Sequence, residues 1–311
     1  MYLLLIRLFA PVGLLHNKSR RSSVINMINQ QNKPMKKLFL LASIIALASC
    51  TNKVAEPTGE MVTVNVNMSG FAVETEQMSR ATAPVSDYCT HLDIWLYESG
   101  AEVHAAHQVS TDEGFGTLTL TLNNSKTYTI YAVAHKADGP ATLSNGVISW
   151  PDDKVTHSFF VSQTFTPTSG MELNLTLDRI VAQFSFNTTD AKPDYVKKMR
   201  FTINGVYDRW NVSTGGTHQL DRVSTVTINS TRDDGSFTCN IYAIVTSENT
   251  NHDILVESLD ATDAVRESHL LQDIPLCNNK RTIATGAFFT NAPTGFSFLA
   301  QDWGSSVEYS F

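Results

Sequence analysis

The chain of 311 residues carries few groups suited to covalent, redox or metal chemistry. Its four cysteines, Cys50, Cys89, Cys239 and Cys277, form no CxxC pair, and no cysteine–histidine ladder has zinc-site spacing. There is no GxSxG elbow for a serine nucleophile and no glycine-rich loop able to cradle a phosphate. Nothing singles out a carboxylate pair for glycosidic cleavage. The sequence therefore predicts no catalytic residues, no metal and no cofactor, and the protein is read as a non-enzyme. Long helical periods are also scarce: no stretch beyond about ten residues keeps one. A short turn of helix is expected only at Tyr195–Lys198.

Basic side chains are scarce after residue 49. Seven of the 23 Lys and Arg precede Cys50 (Arg7, Lys18, Arg20, Arg21, Lys33, Lys36 and Lys37), and none of the 30 Asp and Glu does. The remainder has 16 basic against 30 acidic side chains, a net charge of −14. Nucleic-acid phosphates repel so acidic a domain and no basic stripe compensates, so nucleic acid is excluded as a partner. With Cys50 set apart, three cysteines remain, each beside or within strand-like sequence. Three buried thiols are expected rather than one disulfide and a free thiol.

What is present begins with MKKLFLLASIIALASCTNK, read from Met35. Lys36 and Lys37 give a positive start, and Leu38 to Ala48 is an uncharged, mostly apolar run. That run is short of the roughly 20 residues that span a bilayer. Leu47-Ala48-Ser49-Cys50 then places small residues at a cut site with a cysteine directly after it. This is the pattern of a bacterial lipoprotein signal: cleavage follows Ser49, and the Cys50 sulfur carries a diacylglycerol as the new N-terminus. An ordinary signal peptide, or an apolar segment ending in Cys by chance, is the plainer alternative. Charge, length and cleavage residues together favour lipidation. Two or three acyl chains, at roughly 0.8 kcal/mol per buried CH2, would hold the protein in outer-membrane lipid. Residues 1–34 contain an apolar run, Tyr2 to Leu15, interrupted by Arg7 and Pro11. They are read as an upstream extension ahead of a true start at Met35, with a weak second membrane segment as the alternative. Thr51 to Glu56 lacks the cluster of acids that often follows the lipid cysteine in surface-exported lipoproteins, which leaves the membrane face open.

From residue 61 onward the sequence alternates with period two. Val62, Val64, Val66 and Met68 are separated by Thr63, Asn65 and Asn67. Leu92, Ile94 and Leu96 share one face of a strand that shows Trp95 and Tyr97 on the other. Leu118, Leu120 and Leu122 alternate with threonines, and Met171, Leu173, Leu175 and Leu177 close the first half. The second half runs from Ile180–Phe186 through Met199–Ile203, Phe237–Val245, Ile254–Val256 and Thr282–Phe289 to Val307-Tyr309-Phe311. Turn chemistry separates the runs at Ser99-Gly100, Asn123-Asn124-Ser125, Asn145-Gly146 and Asp233-Asp234-Gly235. Many short strands with few helices predict an all-β chain of two antiparallel sandwiches in tandem. The expected organisation is a signal at 35–49, a lipidated linker at 50–60, and sandwiches at 61–177 and 178–311.

Four stretches, LDIWLYESGAEVHA, TYTIYAVAH, LDRIVAQFSF and LQDIPLCNNKRTIATGAFFT, fall in the order and spacing of the fimbrillin superfamily of Bacteroidales. The chain most resembles that superfamily's FimB-type anchor and assembly lipoproteins, over roughly residues 60–311. The resemblance implies transthyretin-like sandwiches, a place in outer-membrane fimbriae or pili, and a part in cell adhesion. It also implies docking to other fimbrial subunits by β-strand addition. In that superfamily, stalk and tip precursors are cut after a basic residue in a polar loop. Arg80, the only Lys or Arg between Lys53 and Lys126, is the residue here that matches. Its plainer reading is a solvated loop arginine. An anchor would leave the bond after Arg80 intact and stay tethered; a stalk or tip precursor would be processed there. The C-terminal Val307-Tyr309-Phe311 is read as completing its own domain, with a donor strand as the alternative. A different class of function, a surface glycan-binding lipoprotein, would use Trp95, Trp150, Trp210 or Trp303 to stack on sugars, although core or edge packing is the commoner use.

Other polar groupings are set aside. His104 and His107 could share a metal on a helix, but on a hairpin arm their spacing points the rings to opposite faces. Asp152-Asp153 and Asp233-Asp234-Gly235 do not continue into a calcium-loop ligand ladder and read as solvated turns.

Overall fold

The alternating runs become strands that bury one face. In the computed structural model, residues 58–74, 80–290 and 297–302 are described. The first half comprises β1 (Met61–Glu74), β2 (Arg80–Pro84), a single helical turn α1 (Val85–Tyr88), β3 (His91–Glu98), β4 (Ala101–Val109), β5 (Thr117–Asn123) and β6 (Tyr128–His135). A short hairpin, β7 (Thr142–Ser144) and β8 (Val147–Ser149), precedes β9 (Phe159–Phe165) and β10 (Met171–Arg179). One layer sets β1 between β5 and β10, with β2 continuing beside the end of β1. The other runs β9-β6-β3-β4, and the layers join where Asp178 and Arg179 of β10 pair with β9. Val64, Val66, Met68, Leu92, Ile94, Leu96, Ile130, Leu173, Leu175 and Leu177 fill the space between the layers. Each such side chain contributes roughly 1.5–3 kcal/mol by leaving water.

The second half repeats the plan. β11 (Ala182–Thr188), β14 (Thr238–Ala243), β17 (Lys280–Gly286) and β18 (Ser297–Asp302) make a four-stranded layer in the order β14-β11-β17-β18. Against it lie β12 (Lys198–Asn211), β13 (Gly215–Thr227), β15 (Thr250–Leu259) and β16 (Val265–Leu276). Phe184, Phe186, Met199, Phe201, Ile203, Phe237, Ile254, Val256 and Phe288 form the second core. The chain is thus all-β, with a sandwich core in each half, as the alternation predicts.

Three details depart from the sequence reading. Two strand pairs are parallel, β1 with β10 and β11 with β17. Side-chain alternation is the same whichever way a neighbour runs, so the pattern is silent on direction. No helix forms at Tyr195–Lys198: Val196 N–H reaches Pro193 O in one turn and Lys198 already opens β12, because Val196 is drawn fully into the core. The helical turn falls instead at Val85–Tyr88, directly after Pro84, the last residue of β2.

The β7–β8 hairpin crosses over. It arises within the first half yet pairs with β12 of the second, at Arg209–Ser149, Trp210–Ile148 and Asn211–Val147. Asn145 (φ 50°) and Gly146 (φ 74°) make its turn, the left-handed pair that a two-residue hairpin needs. Ile148 and Trp150 bury against Val133, Ala137, Ala141, Val181 and Ile244 in a third apolar cluster. No described helix is long and apolar enough to cross a membrane.

Candidate functional site

The β3–β4 hairpin turns at Ser99 (φ 50°) and Gly100 (φ 82°), where the sequence places turn chemistry. One residue later the ladder slips: Tyr97 faces Glu102, whereas Leu96 faces His104, leaving Val103 as an extra residue on β4. This bulge lies on a sheet edge, since among the described residues β4 pairs only with β3. Bulges and charged side chains are the usual protection of an edge. β5 is the matching edge of the other layer among the described residues. Gln108 Nε2 donates to Thr117 O at 2.7 Å and the Asn123 amide donates to the Tyr128 hydroxyl at 3.2 Å, and between these ends the β5 edge has neither bulge nor charge. Its seven residues, TLTLTLN, pair with β1 without interruption, from Asn67–Thr117 to Met61–Asn123, and carry no charge and no proline.

Between these two edges runs a trough of about 310 Å³ lined by Leu96, Val103, His104, Leu120, Leu122 and Tyr128, with Thr119 and Thr121 on the β5 side. The leucines and Tyr128 are buried and form its floor, while Val103 is 49% exposed at its mouth. Glu98 at one end is held by Lys126 at 2.8 Å. A strand edge open at Thr119 and Thr121 beside a trough floored by leucines can accept a further strand: the backbone supplies hydrogen bonds, and alternate side chains enter the trough.

The two histidines that sequence spacing brings together are parted, as expected for a strand. His104 lines the trough, and His107 lies on the opposite face of the sheet. There it enters a cluster the sequence did not reveal. The Asp93 carboxylate is buried and accepts from His107 Nδ1 at 2.7 Å, His135 Nε2 at 2.9 Å and the Ala141 amide at 2.9 Å. His91 Nδ1 lies 3.4 Å from His107 Nε2, and the His91 ring stacks on both His107 and His135. The available signal was Asp93 itself, an acid within the apolar run LDIWLY, which burial would penalise without partners. Among the described residues no group of three or more His, Cys, Asp or Glu is arranged to hold a metal ion.

A second buried group centres on Arg179. Its Nε donates to His157 Nε2 at 2.9 Å, its Nη1 donates to Asn279 Oδ1 at 3.2 Å, and its guanidinium stands 4.7 Å above the Phe159 ring. Burial, then the charges of Arg179 and Lys136, pushes His157 down to about 3. Cys89, Cys239 and Cys277 are all buried, and burial raises the Cys89 thiol well above the ordinary thiol range and that of Cys239 to about 12. Thiols so held lack the thiolate needed for nucleophilic chemistry.

Arg80 opens β2 and pairs with Glu74 of β1, so its backbone is in a strand rather than an open loop. Cys50 and Ser49 lie outside the described residues, as do Trp303 and Val307-Tyr309-Phe311. Trp95 and Trp150 are buried in the third cluster, and Trp210 packs against it. Asp152, Asp153, Asp233 and Asp234 are exposed.

The model of a family of unknown function, DUF6562, matches residues 148–302, from β8 to β18. No curated protein matches the chain. Among solved structures, a candidate adhesin from Bacteroides ovatus is similar at 13% identity and TM-score 0.49, covering 77% of this chain and 95% of that one. A candidate polysaccharide-binding protein from Bacteroides thetaiotaomicron is similar at 11% identity and TM-score 0.48, covering 78% and 96%. The C-terminally truncated tip fimbrial protein Mfa3 of Porphyromonas gingivalis is similar at 12% identity and TM-score 0.43, covering 78% and 100%.

Proposed function

We propose that this protein is a non-catalytic subunit of a fimbrial adhesion assembly, exported as a lipoprotein and tethered to the outer membrane through acylated Cys50. It docks to the next subunit by addition of a β-strand along β5. The observation that carries this reading is the evenly paired, uncharged β5 edge at Thr119 and Thr121, beside a trough floored by leucines and opposite an edge that is bulged. The export signal and the resemblance of residues 60–311 supply the cellular setting. Lysine on an edge strand discourages pairing with another chain. Thr119 and Thr121 are exposed, so the double variant Thr119→Lys, Thr121→Lys should keep its thermal midpoint while its incorporation into surface fimbriae falls about tenfold or more. Unchanged incorporation would sink strand addition at this edge.

A second reading keeps the assembly and changes the role. β1 lies between β5 and β10, and Arg80 pairs with Glu74 where β1 gives way to β2. Cleavage after Arg80 would sever the covalent link between β1 and the fold and allow the position between β5 and β10 to be refilled by another chain. Mass spectrometry of the surface-assembled form separates the roles. A lipidated Cys50 N-terminus marks an anchor, whereas an N-terminus at Ala81 marks a polymerising stalk or tip subunit.

A further inference from the structure

The His–Asp cluster has a direction built into it. The Ala137 N–H donates to His135 Nδ1 at 3.1 Å, so that nitrogen is the acceptor and Nε2–H donates to Asp93. His107 must carry its proton on Nδ1, since it faces the Asp93 carboxylate, which leaves Nε2 to accept from His91 Nδ1–H. His91 Nε2 in turn accepts from the Gly139 N–H at 3.4 Å, a donor shared with Ala137 O at 3.1 Å. Three neutral imidazoles are thus satisfied at all six ring nitrogens. Three amides of one loop, Ala137, Gly139 and Ala141, point into the cluster at alternate positions. That loop carries the chain from β6 into the β7–β8 hairpin, which crosses to the second sandwich.

We propose that His91, Asp93, His107 and His135 form an acid-sensitive latch on the crossover loop, closed while the imidazoles are neutral and opened when one takes a proton. Each acceptor nitrogen already faces a donor, and at His91 and His135 that donor is a loop amide. A proton arriving there sets N–H against N–H and breaks the bond that holds the loop. A charged ring also repels a second charge on the stacked neighbours, whose centroids are 5.2 Å and 5.5 Å from His91. The charged groups facing the cluster are Asp93 and, on the loop, Asp138, both favouring a proton on His91; Lys154 holds Asp138 at 3.2 Å. Burial, followed by the neighbouring histidines, outweighs them and keeps His91 below its ordinary value, so the latch is closed near neutral pH.

Residue-resolved amide exchange on the full chain tests this. Corrected for intrinsic rates, protection of Gly139 should fall about tenfold or more from about pH 7.5 to about pH 5, while amides in the middle of β3 hold theirs. His91→Gln, at a partly exposed position, keeps an acceptor near Gly139 that does not titrate. It should abolish the acid response at Gly139. Equal protection at both pH values in the wild type, or an unchanged Gly139 response in His91→Gln, would overturn the latch.

Discussion

At the scale of single residues, burial decides protonation. His157 is buried against the Arg179 guanidinium and holds no proton in the folded state until pH is close to 3, whereas an unfolded histidine takes one near 6.5. The unfolded state therefore binds more protons between these values. The stability that His157 contributes is complete above about pH 6.5 and declines as pH falls, at up to about 1.4 kcal/mol per pH unit. Chemical denaturation of wild type and His157→Gln across this window should show a shallower acid slope in the variant. Parallel slopes would mean that the ring is hydrated or protonated in the folded state. The same physics explains why this group was hard to foresee. A lone His and a lone Arg 22 residues apart in sequence carry no pattern. Only the pairing of β9 with β10 at Arg179–Phe159 brings them together.

At the scale of elements, the β7–β8 hairpin is the piece that links the two cores. Ile148 is fully buried in the third cluster while its backbone pairs with Trp210. Ile148→Ala removes that packing and leaves a cavity at the base of the crossover, with an expected cost of about 2–5 kcal/mol. Denaturant titration reads it, and a loss under about 1 kcal/mol would show that the hairpin is a passive passenger. The strands themselves were legible: Leu92, Ile94 and Leu96 enter the first core while Trp95 faces the third, the division that period two predicts. The turns at Gly100 and Gly146 were legible too, because positive φ selects glycine. The destination of the hairpin was not, since three-residue strands give too short a pattern to name a partner. Nor was the trough, whose lining comes from four strands that sequence alone does not set side by side.

For the whole molecule, the parallel pairs β1–β10 and β11–β17 mean that each half is closed by joining its first strand to a late one. Asn65 and Glu172, hydrogen-bonded across the first of these closures, are 107 residues apart in sequence. Contacts this distant make folding slow, because the entropy of closing the loop is lost before the contacts form. A chain exported from its N-terminus would deliver β1 first and its neighbour β10 far later. During that interval the apolar face of β1 can meet β3, β5 and β6, but the side of β1 that pairs with β10 has no strand beside it. Until β10 arrives the first sheet has an open edge at β1, and how long it stays open follows from the order of the strands.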